Sequence, residues 1–331
     1  MLATMKKDLH DRLWNAQQRW FALRDQGISK RELKLRGLRE ARDPNLHLRP
    51  LIFTGATKRA IEETLKSFVE FAHERFGARR LEDLGKREFR AFIEDGIARG
   101  LAGSTLTARV SHLVKLGCLT GKAESAIALG RKLHARVRDL ERDGALRTPE
   151  RPTPSPEIAQ RAIDILKGWD ERHERQTGRP RAYHLAARLQ LATSARSVSV
   201  TERLTLDQVK GPNRIAIVGK GGRTVLVPVP PDLAQAVADH LKRTGAALAD
   251  RDGYRRAWRR AVLAAGGKAA GTHGLRRRAA RDFYSEAYAR STPTGMSPPE
   301  ARRHARGEVV ERLGHSRDRT DQATCYLGPA A

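Results

Sequence analysis

Residues 272–276 read Thr-His-Gly-Leu-Arg, and residues 313–326 read LGHSRDRTDQATCY. His273 and Arg276 are three positions apart, a spacing that places two side chains on one face of a helix. The second stretch opens with Leu-Gly, which is typical of the end of a helix, and its last residue is Tyr326. The two stretches predict a helical region that supplies imidazole, guanidinium and phenol groups to one site.

These groups suit a reaction at a phosphodiester. Attack at phosphorus places extra negative charge on the non-bridging oxygens, so the site needs fixed cations and hydrogen-bond donors. A guanidinium donates two bonds to a phosphate and keeps its charge. A phenol can hold a cut strand covalently, but its ordinary pKa is about 10, so cations or a base must lie nearby.

Two upstream segments have a related character. Residues 193–196 read Thr-Ser-Ala-Arg and follow an apolar helical pattern. Residues 219–223 read Gly-Lys-Gly-Gly-Arg and separate two β-rich runs, Arg214–Val218 and Thr224–Val229, which predicts a β-hairpin. The hairpin would carry Lys220 in its turn.

The motifs together resemble the signature of the tyrosine recombinases, the phage-type integrase family. The resemblance depends on His-x-x-Arg, Leu-Gly-His-Ser and a following Tyr, preceded by a segment similar to the family's Thr-Gly-x-Arg and by a lysine on a hairpin. It covers roughly residues 51–331. One departure is Ser199, because the family often has an acidic residue three positions after its first arginine.

The resemblance implies how the scissile phosphate is held. Arg196 and Arg276 would clamp it, and His315 would add a further donor.

It also implies the proton transfers. Lys220 would protonate the 5′-hydroxyl leaving group, and His273 would assist proton transfer at the nucleophile. Tyr326 would form a 3′-phosphotyrosyl link. Because this link conserves the bond energy, the resemblance implies that no metal, ATP or other cofactor is needed.

The charge of the chain predicts a polyanionic partner. Its 64 Lys and Arg outnumber its 38 Asp and Glu, for a net charge of +26 that both halves share. Double-stranded DNA is the simplest such partner. A membrane partner is disfavoured, because no apolar run approaches about 18 residues. The two cysteines, Cys118 and Cys325, lie in separate regions and fit a reducing cytoplasm, so we expect a cytoplasmic, nucleoid-associated protein.

Helical periodicity predicts a mainly α protein with a small β-sheet. Residues 1–50 are expected to form a basic helical N-terminal extension, and residues 51–147 a helical core DNA-binding domain in which Thr57 caps the first helix. Four prolines within 148–156 predict a stiff linker. Residues 157–331 would form the tyrosine recombinase catalytic domain.

Four basic residues are candidates for DNA binding outside the catalytic set. Arg109 and Lys115 lie off the apolar positions of their predicted helix, so they could face a duplex. Arg255 and Arg259 belong to a helix dense in arginine that could enter a major groove. A solvated basic face explains this second pair equally well.

The preferred function is a site-specific DNA recombinase (integrase) that works as a homo-oligomer, a tetrameric synapse on DNA. One alternative is a type IB topoisomerase-like enzyme that uses the same chemistry. Another is a catalytically inactive DNA-binding regulator of the same fold. Tyr284 and Tyr288 compete with Tyr326 as nucleophiles, although their spacing beside Phe283 indicates core packing.

Overall fold

A computed structural model describes most of the chain. The described residues are 1–41, 45, 47–147, 152–219, 222, 224–245, 247–291, 296–313, 323, 326 and 327. Lys220 and His315 lie outside this set, as does Cys325. The chain divides into two compact units, residues 1–149 and 150–331.

The first unit is helical throughout its described part. Its helices are α1 (Leu2–Asp25), α2 (Lys30–Ala41), α3 (Gly55–Phe76), α4 (Lys86–Ala98), α5 (Gly103–Leu119) and α6 (Ala123–Arg142). The cap of α3 is Thr54, whose side chain accepts from the Thr57 amide at 3.1 Å. The prediction of Thr57 as this cap is wrong, because the helix begins three residues earlier.

One apolar core joins α1 to the helices that follow. Met5, Leu9 and Leu13 of α1 are buried together with Leu65 and Phe68 of α3. The sequence pattern assigned residues 1–50 to an extension, but α1 is an integral part of this core.

The second unit surrounds one small sheet. Its helices are α7 (Pro156–Thr177), α8 (Tyr183–Thr193), α9 (Ser197–Val200), α10 (Pro231–Thr244), α11 (Arg251–Ala264), α12 (Thr272–Ser291) and α13 (Pro298–Arg312). The strands β1 (Arg214–Val218) and β2 (Thr224–Pro228) pair antiparallel, with Ala216 opposite Leu226. This confirms the prediction of a mainly α protein with a small β-sheet.

Two apolar clusters hold the second unit together. The larger is built on α7, α8, α10, α11 and the hairpin, and Trp258 and Tyr254 are its largest fully buried rings. The smaller joins α12 to α13, through residues that include Ala280 and Val309, and it also contains Ala323 and Leu327. The smaller cluster therefore brings the last described residues against α12. No helix among the described residues is both long and apolar enough to span a bilayer.

Candidate active site

The turn after α8 presents Arg196. Ser194 ends the helix in the left-handed conformation, with φ 55° and ψ 23°, and its side chain is fully buried. The Ala195 amide donates to Thr193 Oγ1 at 3.3 Å, and Gln190 Nε2 donates to the Ala195 carbonyl at 3.0 Å. The turn held in this way leaves Arg196 half-buried at the start of α9.

Arg276 is a buried cation near the N-terminal end of α12. Its side chain is 2% exposed, and its Nη2 donates to the Leu313 carbonyl at 2.9 Å. Its Nε has no hydrogen-bond partner among the described residues. Burial lowers the pKa of Arg276, attraction to Tyr326 opposes this effect, and repulsion by Arg196 adds to it. A guanidinium nevertheless stays charged in proteins, so the interior holds a cation that can bind an anion.

Tyr326 lies beside this guanidinium. The Cζ atom of Arg276 is 5.2 Å from the centroid of the Tyr326 ring, within the range of a cation–π contact. The half-buried ring packs on the α12–α13 cluster next to Phe283 and Tyr284. Packing of this cluster thus brings the predicted nucleophile to the predicted phosphate-binding arginine.

His273 lies within electrostatic range of the same cations. Its side chain is exposed. Desolvation lowers the pKa of His273, and repulsion by Arg276, by Arg277 and then by Arg196 and Arg255 lowers it further. A lowered pKa favours the neutral imidazole, which is the form that accepts a proton.

A narrow cavity lies beneath these groups. Its volume is about 20 Å³, room for one water molecule. Arg196 and Arg276 line it together with Gly219, which follows β1, and with Leu313. Lys220 and His315 are close in sequence to these last two residues but lie outside the described part of the chain.

Three further residues close to Arg196 and Arg276 were not among the predicted site residues. Arg312 lines the cavity, donates from Nη2 to the Ala192 carbonyl at 3.3 Å and lies over the Phe283 ring. Its position directly before Leu-Gly-His-Ser was a usable signal.

The other two are serines. Ser199 Oγ donates to the Val218 carbonyl at 2.8 Å, so it ties the turn of Arg196 to the end of β1. Ser194 Oγ donates to the Arg276 carbonyl at 3.2 Å. Ser194 stands where the similar family segment has glycine, and Ser199 where the family often has an acidic residue, so the resemblance assigned neither serine a role.

Arg109 and Lys115 are both half-buried in the first unit. The Arg109 guanidinium lies 4.5 Å from the centroid of the Phe92 ring, and its Nη1 is buried without a hydrogen-bond partner among the described residues. Lys115 Nζ donates to the Leu51 carbonyl at 2.8 Å and more weakly to that of Leu48. Desolvation lowers the pKa of Lys115 to about 8. Lys115 thus has neighbours in the fold for its charged end, whereas one nitrogen of Arg109 has none in the described part of the chain, and contact of either side chain with a duplex stays a prediction.

Arg255 and Arg259 have the opposite environment. Both are exposed on α11 and line an open groove of about 470 Å³ that reaches Gly271, two residues before His273. Arg255 has one weak ion pair, to Asp252 at 3.6 Å. The groove thus presents exposed guanidinium groups close in the chain to His273.

Two other groupings of side chains in the described ranges are relevant: possible metal ligands and the two tyrosines of α12. No three His, Cys, Asp or Glu side chains there converge to hold a metal ion. Tyr284 and Tyr288 stack on each other, with ring centroids 6.2 Å apart.

The chain matches no protein-family model and no curated protein in sequence. It does resemble solved structures. A λ integrase dimer bound to a COC′ core site has a TM-score of 0.55 and 16% identity, over 84% of this chain and 90% of that chain. The XerH recombinase in a pre-cleavage complex with difH has a TM-score of 0.54 and 14% identity, over 98% and 91%. The Tn1549 transposon integrase with transposon right end DNA has 0.54 and 14%, over 92% and 96%.

The chain has the tyrosine recombinase fold. At these identities the likeness is one of fold. What this tyrosine recombinase fold does therefore depends on the residues of its own site.

Proposed function

We propose that this protein is a site-specific DNA recombinase that cuts and rejoins strands through a 3′-phosphotyrosyl intermediate on Tyr326. The observation that carries the proposal is the 5.2 Å approach of the buried Arg276 guanidinium to the Tyr326 ring. The Arg276 guanidinium is buried with one nitrogen unpaired among the described residues, and its contact with the Tyr326 ring has little structural purpose on its own. The contact has a clear purpose if a phosphodiester binds there, with Arg276 holding its oxygens and Tyr326 attacking its phosphorus.

The proposed reaction is an in-line displacement. The phenol oxygen of Tyr326 attacks the phosphorus, its proton passes to the neutral His273, and the bond from phosphorus to the 5′-oxygen breaks. The leaving oxygen takes a proton and departs as a 5′-hydroxyl. Arg196 and Arg276 neutralise the charge that accumulates on the non-bridging oxygens. Attack by a 5′-hydroxyl on the phosphotyrosine reverses these steps and rejoins the strand.

Two roles in this scheme come from the resemblance. Lys220 is proposed as the acid that protonates the leaving oxygen, and His315 as a further donor to the phosphate. The substrate is proposed to be double-stranded DNA, with a tetramer of this chain assembling two sites. The solved relatives are DNA complexes by their own descriptions, and a net charge of +26 agrees with such a partner. A cytoplasmic location near the nucleoid is part of the same proposal.

The test is covalent capture. The protein is incubated with duplexes tiled across the DNA that flanks the coding region. Each duplex carries a nick, so that the short fragment with the released 5′-hydroxyl diffuses away. We expect a protein–DNA adduct that withstands denaturant, is lost in Tyr326→Phe and persists in the matched control Tyr284→Phe.

The outcomes separate the alternatives. An adduct that Tyr326→Phe retains would contradict the assignment of the nucleophile. Sequence-specific binding without any adduct would instead favour the inactive regulator. Relaxation of supercoiled DNA that carries no paired sites would favour the topoisomerase-like enzyme.

A further inference from the structure

Ser194, at the end of α8, has an unusual backbone conformation. Among the described residues it is the one non-glycine residue with positive φ, at 55°. A side chain is disfavoured there because its Cβ crowds the backbone, and glycine is the usual residue. The Ser194 side chain is also fully buried. Such a conformation persists where the surrounding structure requires it.

The hydroxyl of Ser194 makes one contact that glycine could not make. Its Oγ donates to the backbone carbonyl of Arg276 at 3.2 Å. Ser194 is two residues before Arg196, so this bond joins the backbone segments that carry the two proposed phosphate-binding arginines.

The turn itself is held by other groups. Thr193 Oγ1 donates to the Leu189 carbonyl at 2.6 Å, and Gln190 Nε2 donates to the Ala195 carbonyl. Gln190 is in turn fixed by the buried Tyr254 hydroxyl, which donates to its Oε1 at 2.8 Å. Because other groups hold the turn, the bond from Ser194 serves to join the end of α8 to α12.

We propose that Ser194 is a positioning residue that sets the separation of Arg196 and Arg276, and with it their joint hold on the scissile phosphate. This inference rests on the proposed recombinase function. Two guanidiniums stabilise the same developing charge only if both reach it at hydrogen-bond distance. A small displacement of one of them weakens catalysis while leaving the fold intact.

The deciding variant is Ser194→Gly. Glycine adopts the left-handed conformation without strain but gives the unfolded chain more freedom, so we expect a midpoint of thermal unfolding close to that of wild type. Loss of the bond between the two segments should slow adduct formation by about 3- to 10-fold, the factor that one hydrogen bond represents. Ser194→Ala keeps the strain and loses the bond, so it should be as slow and also less stable.

A methylphosphonate at the scissile position separates positioning from general weakening. This substrate replaces one charged non-bridging oxygen with a methyl group, so it depends less on the spacing of the two guanidiniums. We expect Ser194→Gly to react with it at a rate within about twofold of wild type, since the bond lost affects only charge stabilisation. The control Thr177→Ala removes a comparable hydroxyl that donates to the His173 carbonyl at the end of α7, and it should leave both rates unchanged.

Two results would overturn the inference. One is a wild-type rate for Ser194→Gly on the natural phosphate, and the other is an equal loss on both substrates. Failure of wild type to form an adduct with either substrate would instead refute the recombinase function, and the inference with it.

Discussion

At the scale of a single residue, Arg276 carries a positive charge in buried surroundings that disfavour it. Its guanidinium is buried, one of its nitrogens is unpaired among the described residues, and no described carboxylate contributes to its pKa shift. Desolvation of a charge without a counter-ion is unfavourable. Binding of the proposed phosphate would offset this cost.

Arg276→Met should therefore separate stability from activity. The substitution removes a desolvated charge but leaves the Leu313 carbonyl without its donor. We expect the free energy of unfolding, measured by urea denaturation, to stay unchanged or to rise by up to roughly 1–4 kcal/mol. Adduct formation should fall by at least about 100-fold. A strongly destabilised variant would show that the guanidinium is structural.

The pKa of His273 gives a second test at residue scale. Its folded pKa is lowered by desolvation and by four arginines, of which Arg255 is one. The unfolded chain thus binds this proton more readily, and the protein loses stability as pH falls from the ordinary range of histidine towards the lowered value. Arg255→Gln should raise the pKa of His273 in an NMR titration, and the acidic limb of the cleavage profile should move upwards with it. Arg259→Gln, which removes a charge absent from those causes, should leave the pKa in place; an equal shift in both variants would contradict this account.

At the scale of elements, the closest packing in the first unit is between α5 and α6. A Cβ at Gly117 would lie 2.2 Å from the Cβ of Ala126, and one at Gly130 would lie 2.3 Å from Val114. We expect Gly130→Ala to destabilise the first unit by about 1–3 kcal/mol, because the helices must separate. Gly168→Ala in α7 meets nothing within 4 Å, so its higher helix propensity should stabilise the second unit by up to about 1 kcal/mol. Thermal unfolding of both variants decides, and equal shifts would refute the packing argument.

The elements were the part of the fold that sequence could predict. Helical periodicity and the Gly-rich turn located α11 to α13 and the hairpin, because these signals are local. Recognition of Arg276 and Tyr326 came from ordered motifs. The link from Ser194 to Arg276 could not be predicted, because it joins positions that only tertiary packing brings together. The same holds for Lys115, whose polar position on its helix indicated exposure until packing placed the Leu51 carbonyl at its ammonium.

At the scale of the whole molecule, a net charge of +26 makes salt the variable that best distinguishes phosphate contacts from other basic residues. Each phosphate neutralised steepens the fall of log affinity with log salt by about 0.9. Arg255 and Arg259 are exposed in a groove beside His273, so we expect their double glutamine variant to reduce the slope by about 2 for a cleavage-blocked Tyr326→Phe protein on a fixed duplex. The matched pair Arg109→Gln and Lys115→Gln removes the same formal charge, but the Arg109 guanidinium lies over the Phe92 ring and Lys115 Nζ donates to the Leu51 carbonyl. That pair of substitutions should leave the salt slope unchanged and lower the stability of the first unit. A slope reduced by this pair and unchanged by the Arg255 and Arg259 pair would place the duplex against α5 instead of α11.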